Sequence, residues 1–80
     1  MKVYILTQYT REDYEEPFCD IVGVYKNKEE AEKEKQNLIN DNIQNFDFVI
    51  DKEYENRIFW RFQENWQNYI EFDIIEKEII

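Results

Sequence analysis

The alternation of acidic and apolar residues near the C-terminus restricts the fold of this chain more than any other feature. In the segment "YIEFDIIEKE", residues 69–78, Glu71 and Asp73 alternate with apolar residues, which are Ile70, Phe72 and Ile74. Successive side chains of a β-strand point to opposite faces of a sheet, so the pattern predicts a strand with one buried face and one face in water. The fold therefore needs a sheet that this strand joins and an element that covers the apolar face.

Four more segments have the composition or the period of strands. Residues 3–9 and 18–25 are rich in β-branched and aromatic side chains. Residues 46–54 alternate apolar and polar side chains, and a turn at residues 55–57 lets "RIFWRF", residues 57–62, pair back antiparallel. We therefore expect every strand of the sheet to be antiparallel to its neighbours.

The strand pattern is interrupted at three places. Ile74 and Ile75 are consecutive apolar residues that break the period of two, and they predict a β-bulge in the last strand. Gly23 predicts a bulge or a close backbone approach in the second strand. The segment "QENWQN", residues 63–68, fits both a turn and a short helical piece.

A helix is predicted from residue 28 to residue 40. Asn27 is a favoured N-cap residue, and Glu30 completes a capping box, in which the two side chains accept hydrogen bonds from otherwise unpaired backbone N–H groups. A narrow apolar stripe suits a helix that covers one face of a sheet. That stripe consists of Ala31, Leu38 and Ile39. The polar segment "NDNIQN", residues 40–45, supplies turn residues that end the helix.

Together these elements predict an α+β domain, an antiparallel sheet of about five strands covered by one helix, in the order β-β-α-β-β-β. The 80 residues predict a single domain, residues 1–80. A chain of this length buries only a modest share of its surface, so it is too short for two domains that each have a core. The N-terminal "MKVYILTQY" has an apolar run of only four residues, too short for a signal peptide or a membrane span. We therefore expect a cytoplasmic protein.

The composition excludes most catalytic and metal-binding chemistry. The chain has no histidine and a single glycine, which excludes imidazole catalysis, most transition-metal sites and glycine-rich phosphate loops. Cys19 has no second cysteine with which to form a disulfide. A calcium loop starting at Asp51 fails at the two positions that need glycine and glutamate, which hold Asn56 and Phe62. We expect no enzymatic activity, no cofactor and no metal.

Three segments, "MKVYIL", "IVGVYKNKEEAEKEK" and the closing "YIEFDIIE", resemble a family of small uncharacterised bacterial and phage α+β domains. The likeness covers residues 1–40 and the closing strand. It implies a strand, a "GVY" strand end, a short "KEEAE" helix and an acidic closing strand, but no catalytic or binding residue, since the family brings no established activity. Residues 46–66 have no counterpart in the resemblance.

The chain is strongly acidic. Its 19 Asp and Glu against 10 Lys and Arg give a formal net charge of −9, which repels nucleic acid and anionic membranes and favours a basic partner. Carboxylates two residues apart on one strand face are about 6.6–7 Å apart, close to the ~7 Å between neighbouring phosphates of a DNA strand. The carboxylates predicted to bind a partner in this way are Asp47, Asp51, Glu53, Glu55, Glu71, Asp73, Glu76 and Glu78.

By size and charge the chain also resembles the DNA-mimicking inhibitors that phages use against restriction or CRISPR nucleases. This resemblance implies that the partner is a basic nucleic-acid-binding protein, a nuclease or a Cas effector, and that the chain itself touches neither nucleic acid nor membrane. One alternative is that the carboxylates are the ordinary wet face of a sheet and discourage edge-to-edge aggregation. Another is a homo-oligomeric interaction domain, such as a homodimer, without enzymatic activity.

The aromatic residues of the predicted strand 57–62 and of the segment that follows it allow two interpretations. Phe59, Trp60 and Trp66 are candidate anchors in a protein interface, where aromatic residues and arginine dominate the binding energy. Trp60 and Trp66 are more simply explained as residues of a hydrophobic core or its rim. Stacking on single-stranded nucleic acid needs a positive groove, which the few nearby basic residues do not supply.

Overall fold

The computed structural model describes residues 1–12, 16–46, 48–51, 54, 56–60 and 68–79, with Trp60 described by its backbone alone. It contains five strands and one helix, in the predicted order β-β-α-β-β-β. The elements are β1 Lys2–Arg11, β2 Phe18–Tyr25, α1 Lys28–Asn45, β3 Phe48–Ile50, β4 Arg57–Trp60 and β5 Tyr69–Glu78. The α+β fold class is confirmed, and β2 and β5 have the predicted bounds.

The strands form one antiparallel sheet in the spatial order β2-β1-β5-β4-β3. The two longest strands, β1 and β5, pair along their whole length from Lys2 opposite Glu78 to Arg11 opposite Tyr69. The first and last strands of the chain are therefore neighbours at the centre of the sheet. The edges are β2 on one side and the short β3 on the other.

Helix α1 covers one face of the sheet, which we call the helix face. The predicted N-cap is confirmed, because Asn27 Oδ1 accepts a hydrogen bond from the Glu30 backbone N–H at 3.0 Å. The core lies between α1 and the strands and consists of Leu6, Ile39, Phe48, Ile58 and Phe72. The opposite face of the sheet, which carries Ile5 and Ile75, is called the far face below.

The helix continues past its predicted end at residue 40 and ends at Asn45, so the prediction that "NDNIQN" stops it is wrong. The Asn42 side-chain amide donates to the Leu38 carbonyl at 2.8 Å, which places a turn-forming side chain within the helix. Ile43 lies one turn after Ile39 and packs against the core, and this burial outweighs the weak helix propensity of asparagine. At Phe46 the backbone becomes extended and the helix ends.

The predicted bulge at Ile74 and Ile75 is also wrong. Both residues have direct partners in β1, Leu6 and Ile5, with no shift of register. Each isoleucine meets an apolar residue on its own face of the sheet, so consecutive apolar residues need no extra residue in the strand. The irregularity lies instead in the pairing of β1 with β2, between Leu6 and Thr7.

At that irregularity β2 contains one extra residue. Gly23 lies opposite Leu6 and Ile21 opposite Thr7, which leaves Val22 without a partner in β1. A Cβ atom at Gly23 would lie 2.6 Å from the hydroxyl oxygen of Tyr25. The predicted bulge is therefore confirmed, whereas the close neighbour of Gly23 is the side chain of Tyr25 and not another backbone segment.

The two strands between α1 and β5 differ from their predicted bounds. Of the predicted strand 46–54, the described residues show strand at Phe48–Ile50, and the extended backbone of Phe46 belongs to the helix cap. Residues 47, 52 and 53 of that prediction lie outside the described residues. Strand β4 begins at Arg57 as predicted, and its described part ends at Trp60. The rest of the predicted strand 57–62 and most of "QENWQN", with its choice between turn and helix, lie outside the described residues.

Candidate interaction surfaces

The carboxylates of β5 lie on both faces of the sheet. Because the pairing with β1 is continuous, side chains alternate strictly, and Glu71 and Asp73 are on the far face while Glu76 and Glu78 are on the helix face. A bulge at Ile74 and Ile75 would have brought all four to one face. Without it, they form two separate pairs and no single row.

Glu71 is engaged by a neighbouring cation. Its Oε1 accepts hydrogen bonds from Arg57 Nε at 3.1 Å and from Arg57 Nη2 at 2.7 Å. The Arg57 guanidinium carbon also lies 4.4 Å from the ring centroid of Tyr54 and 4.2 Å from that of Tyr69. Burial favours the neutral guanidine, but the hydrogen bond and charge of Glu71 raise the pKa of Arg57 overall. The charge of Glu71 is thus balanced within the domain.

Asp73 is half-buried and held by Asn56. The Asn56 amide donates to Asp73 Oδ1 at 2.9 Å and to the Phe72 carbonyl at 3.0 Å. Burial raises the pKa of Asp73, and the charge and hydrogen bonding of Glu71 raise it further, against the opposing effects of Asn56 and Lys35. The hydrogen bond from Asn56 and partial burial therefore make this carboxylate less accessible to a partner than its position in the sequence implies.

The carboxylates at the end of β5 are more accessible. Glu76 accepts a hydrogen bond from the Tyr4 hydroxyl at 3.1 Å, and Lys2 Nζ lies 3.8 Å from the same oxygen. The hydrogen bond to Glu76, followed by burial and the charge of Glu76, raises the pKa of Tyr4. Glu78 lies 4.0 Å from the N-terminal amine. Both carboxylate side chains are more than half exposed, so a charged partner can reach them.

The other predicted contact residues divide into two groups. Phe59 is buried and packs edge-to-face against Tyr69, with ring centroids 6.3 Å apart, so it offers little area to a partner. Asp51 is half-buried, and its backbone N–H donates to the Arg57 carbonyl. The side chain of Trp60 lies outside the described part of the structure, as do Asp47, Glu53, Glu55 and Trp66.

An apolar surface that the sequence analysis did not identify lies on the edge strand β2. Phe18, Ile21, Val22 and Val24 are 49%, 68%, 39% and 59% exposed. Asp20 is the one charged residue among the eight of this strand. The low charge of residues 18–25, within a chain of net charge −9, is a signal in the sequence for this surface. The edge position of β2, however, follows only from the strand order of the sheet.

The exposed apolar residues of β2 continue onto the far face. Val24 lies opposite Ile5 of β1, and Ile5 lies opposite Ile75 of β5, which is 50% exposed. The helix packs on the other face and leaves this row uncovered. Contiguous apolar surface of this kind marks interaction sites on soluble proteins.

A polar cleft of ≈ 480 Å³ lies between α1 and the middle of β5, where Phe72, Asp73 and Ile74 line it. Lys28, Glu32 and Lys35 line one wall, and Lys35 Nζ lies 3.0 Å from the Glu32 carboxylate. Tyr54, Asn56 and Asp73 line the other. The cleft is wide open, so a molecule in it would stay exposed to water.

The described ranges contain neither a cluster of metal ligands nor a helix that could span a membrane. In those residues no three acidic or cysteine side chains are arranged so that they could hold a metal ion. The helix of the described chain also lacks the combination of length and apolar character that is needed to cross a membrane.

Comparison with known proteins shows the family of the chain. A family model described as a domain of unknown function, DUF7336, matches residues 1–64. The match includes β1, β2, α1 and the aromatic β4, and it ends before β5, so it does not include the closing strand. No curated protein and no solved structure matches the chain. The chain therefore belongs to the DUF7336 family of domains of unknown function.

Proposed function

We propose that this domain acts by associating with a second copy of itself and catalyses no reaction. The observation that carries the proposal is the edge strand β2, where four apolar side chains are exposed. An edge strand presents unpaired backbone N–H and C=O groups, and pairing with another chain satisfies them. Apolar side chains beside those groups add burial to the same contact.

The distribution of charge favours this edge as the place of contact. Two copies with a formal net charge of −9 repel each other, and β2 contributes only Asp20 to that charge. The repulsion is screened over about 8 Å at physiological ionic strength, while apolar contact is not weakened by salt. Self-association through β2 should therefore become stronger as salt is added.

The experiment is a measurement of mass in solution by sedimentation, over a range of protein and salt concentrations. We expect a concentration-dependent dimer that is favoured by salt. Val24→Lys should abolish it, because lysine on an edge strand opposes pairing. That variant also lowers the net negative charge, so increased repulsion does not explain a loss of association. Asn37→Lys, on the exposed surface of α1, is the matched control. A monomer under all conditions contradicts the proposal.

A second candidate function is inhibition of a basic nucleic-acid-binding protein, as a phage-type inhibitor of a restriction or CRISPR nuclease. The net charge of −9 and the exposed Glu76 and Glu78 favour it. Glu71 and Asp73 have internal partners, so the contact expected from this hypothesis moves toward the end of β5.

The test of this second function is capture of a nuclease from bacterial lysate on the tagged protein, with elution by increasing salt. We expect release of the nuclease at low to moderate salt. Glu76→Lys together with Glu78→Lys should abolish capture without loss of folding, and unchanged capture contradicts charge mimicry. The direction of the salt effect separates the two functions, since salt weakens this contact and strengthens self-association.

A further inference from the structure

The hydrogen-bonding pattern shows which backbone groups of β2 are open. The Ile79 N–H donates to the Met1 carbonyl at 2.7 Å, so the odd-numbered residues of β5 direct their backbone groups toward β1. The odd-numbered residues of β1 are their partners, and the even-numbered ones face β2. Tyr25 and Gly23 pair with Tyr4 and Leu6. The backbone groups of Val24, between them, therefore point away from the sheet.

The same alternation applies beyond the bulge. Asp20 and Phe18 pair with Gln8 and Thr10, which are even-numbered residues of β1. The backbone groups of Cys19, between Asp20 and Phe18, therefore point outward as well. Ile21 lies opposite the odd-numbered Thr7, so its backbone groups point outward too. The open edge of β2 thus has hydrogen-bonding positions on both sides of the bulge, at Cys19 and Ile21 before it and at Val24 after it.

The bulge at Val22 also sets the faces of the β2 side chains. Before the bulge the even-numbered residues lie on the helix face, and after it the odd-numbered residues do. Residues on the helix face are Phe18, Asp20, Gly23 and Tyr25. Residues on the far face are Cys19, Ile21 and Val24.

We propose that β2 pairs antiparallel with β2 of a second copy, about a two-fold axis between Ile21 and Val22. This interface rests on the self-association proposed above. It places Phe18 opposite Tyr25, Cys19 opposite Val24 and Asp20 opposite Gly23. In each pair the two residues share a face of the sheet, as antiparallel pairing requires.

This register depends on the bulge. In a regular strand of eight residues, side chains alternate, so the first and the eighth residue lie on opposite faces. Antiparallel pairing of two such strands over their whole length would place these residues opposite each other, and a continuous sheet does not allow that. The extra residue Val22 reverses the alternation of faces halfway along β2, so the first and the last residue of the strand lie on the same face. Residues that pair across the two-fold axis then share a face in both copies. The register also keeps the two copies of Asp20 from lying directly opposite each other. It matches the open position at Val24 with the open position at Cys19.

The test uses Cys19 as a cross-linking group. With Val24→Cys, the register places the new thiol opposite Cys19 of the second copy, at a hydrogen-bonded pair whose Cα atoms are about 5.5 Å apart. That separation lies within the range that a disulfide spans. Mild oxidation of the dimer should therefore give a covalent dimer in high yield. Val24 is exposed, so the substitution leaves the core unchanged.

Two controls fix the register. Ile75→Cys carries its thiol on the same face but two strands away from the edge, and it should give no more covalent dimer than the unsubstituted chain. Cys19→Ser combined with Val24→Cys should remove the cross-link, because two copies of position 24 do not face each other. Equal yields from Val24→Cys and Ile75→Cys would overturn the proposed register.

A second variant tests the edge without a cross-link. Val24→Pro removes an N–H that points away from β1, so it should leave the folded monomer intact and abolish the dimer. Two outcomes contradict this interface but not self-association itself. One is that Val24→Pro folds and still forms a dimer. The other is that the unsubstituted chain forms a dimer but the Val24→Cys variant gives no covalent dimer on oxidation. If sedimentation detects only monomer, the interface and the proposed function both fail.

Discussion

Arg57 of β4 and Glu71 of β5 form an ion pair with two hydrogen bonds between neighbouring strands. They lie directly opposite each other on β4 and β5, and their nearest nitrogen and oxygen atoms are 2.7 Å apart. Tyr54 and Tyr69 contact the same guanidinium through their rings. Both charged side chains are only 22% exposed, so each depends on the other for the compensation of its charge.

Replacement of Glu71 should destabilise the domain because Arg57 would lose its counter-charge in a half-buried site. We expect Glu71→Gln to lower the free energy of unfolding by about 1–3 kcal/mol, measured by urea denaturation. Glu76→Gln is the matched control, because Lys2 and Glu76 are 3.8 Å apart and more than half exposed. Exposed pairs contribute about 0–1 kcal/mol. Equal losses in the two variants would show that the ring contacts and partial burial add nothing.

The sequence predicted the elements whose signals are local and missed those that depend on tertiary contacts. Asn27 and Glu30 are close in sequence, so the start of α1 was correct. The end of α1 was wrong because it depends on Ile43 reaching the core, which the polar composition of residues 40–45 conceals. Propensity is a weak guide where burial opposes it.

The candidate surfaces were harder to predict because they depend on strand order and register. The apolar residues of β2 resemble those of any half-buried strand until its edge position is known. The carboxylates of β5 were predicted to form a row because residues two apart on a strand share a face, but Glu71 and Asp73 are separated from Glu76 and Glu78 by an odd number of residues. Pairing of Ile74 with Leu6 and of Ile75 with Ile5 shows that both faces of the strand hold apolar contacts.

The two consecutive isoleucines give a direct test of the β5 register. Ile74 packs against the core on the helix face, whereas Ile75 is 50% exposed on the far face. Ile74→Ala should lower the free energy of unfolding by about 2–4 kcal/mol, and Ile75→Ala by less than about 1 kcal/mol. Urea denaturation of the two variants measures the difference. Similar losses, or a larger loss for Ile75→Ala, would contradict the continuous pairing with β1.

The N-cap of α1 gives a second test of stability. Asn27→Ala removes the acceptor of the Glu30 backbone N–H, and we expect a loss of about 0.5–2 kcal/mol. Asn27→Asp keeps an oxygen at the same position and is the matched control. Thermal unfolding followed by helical circular dichroism measures both. A loss of the same size in Asn27→Asp would mean that the amide group, and not its oxygen, stabilises the helix start.

The raised pKa of Asp73 predicts a pH effect with a definite sign. A carboxyl whose pKa is higher in the folded than in the unfolded state binds its proton more tightly when folded. Its contribution to stability is therefore fully present below the ordinary pKa of 3.8 and is lost as pH rises through the higher folded value. Burial and Glu71 cause the shift, so the effect belongs to this site and not to acidic residues in general.

Asp73→Asn should remove this loss, because the amide stays neutral and keeps an oxygen for the Asn56 amide to donate to. We expect the free energy of unfolding of the variant, relative to the unsubstituted domain, to rise with pH from the acid range toward neutrality. Urea denaturation at a series of pH values measures this difference. Glu78→Gln removes the same charge at the exposed end of β5 and controls for the change in net charge. If the two variants follow the same pH dependence, burial beside Glu71 does not destabilise charged Asp73, and the carboxylate is as available to a partner as the sequence alone suggested.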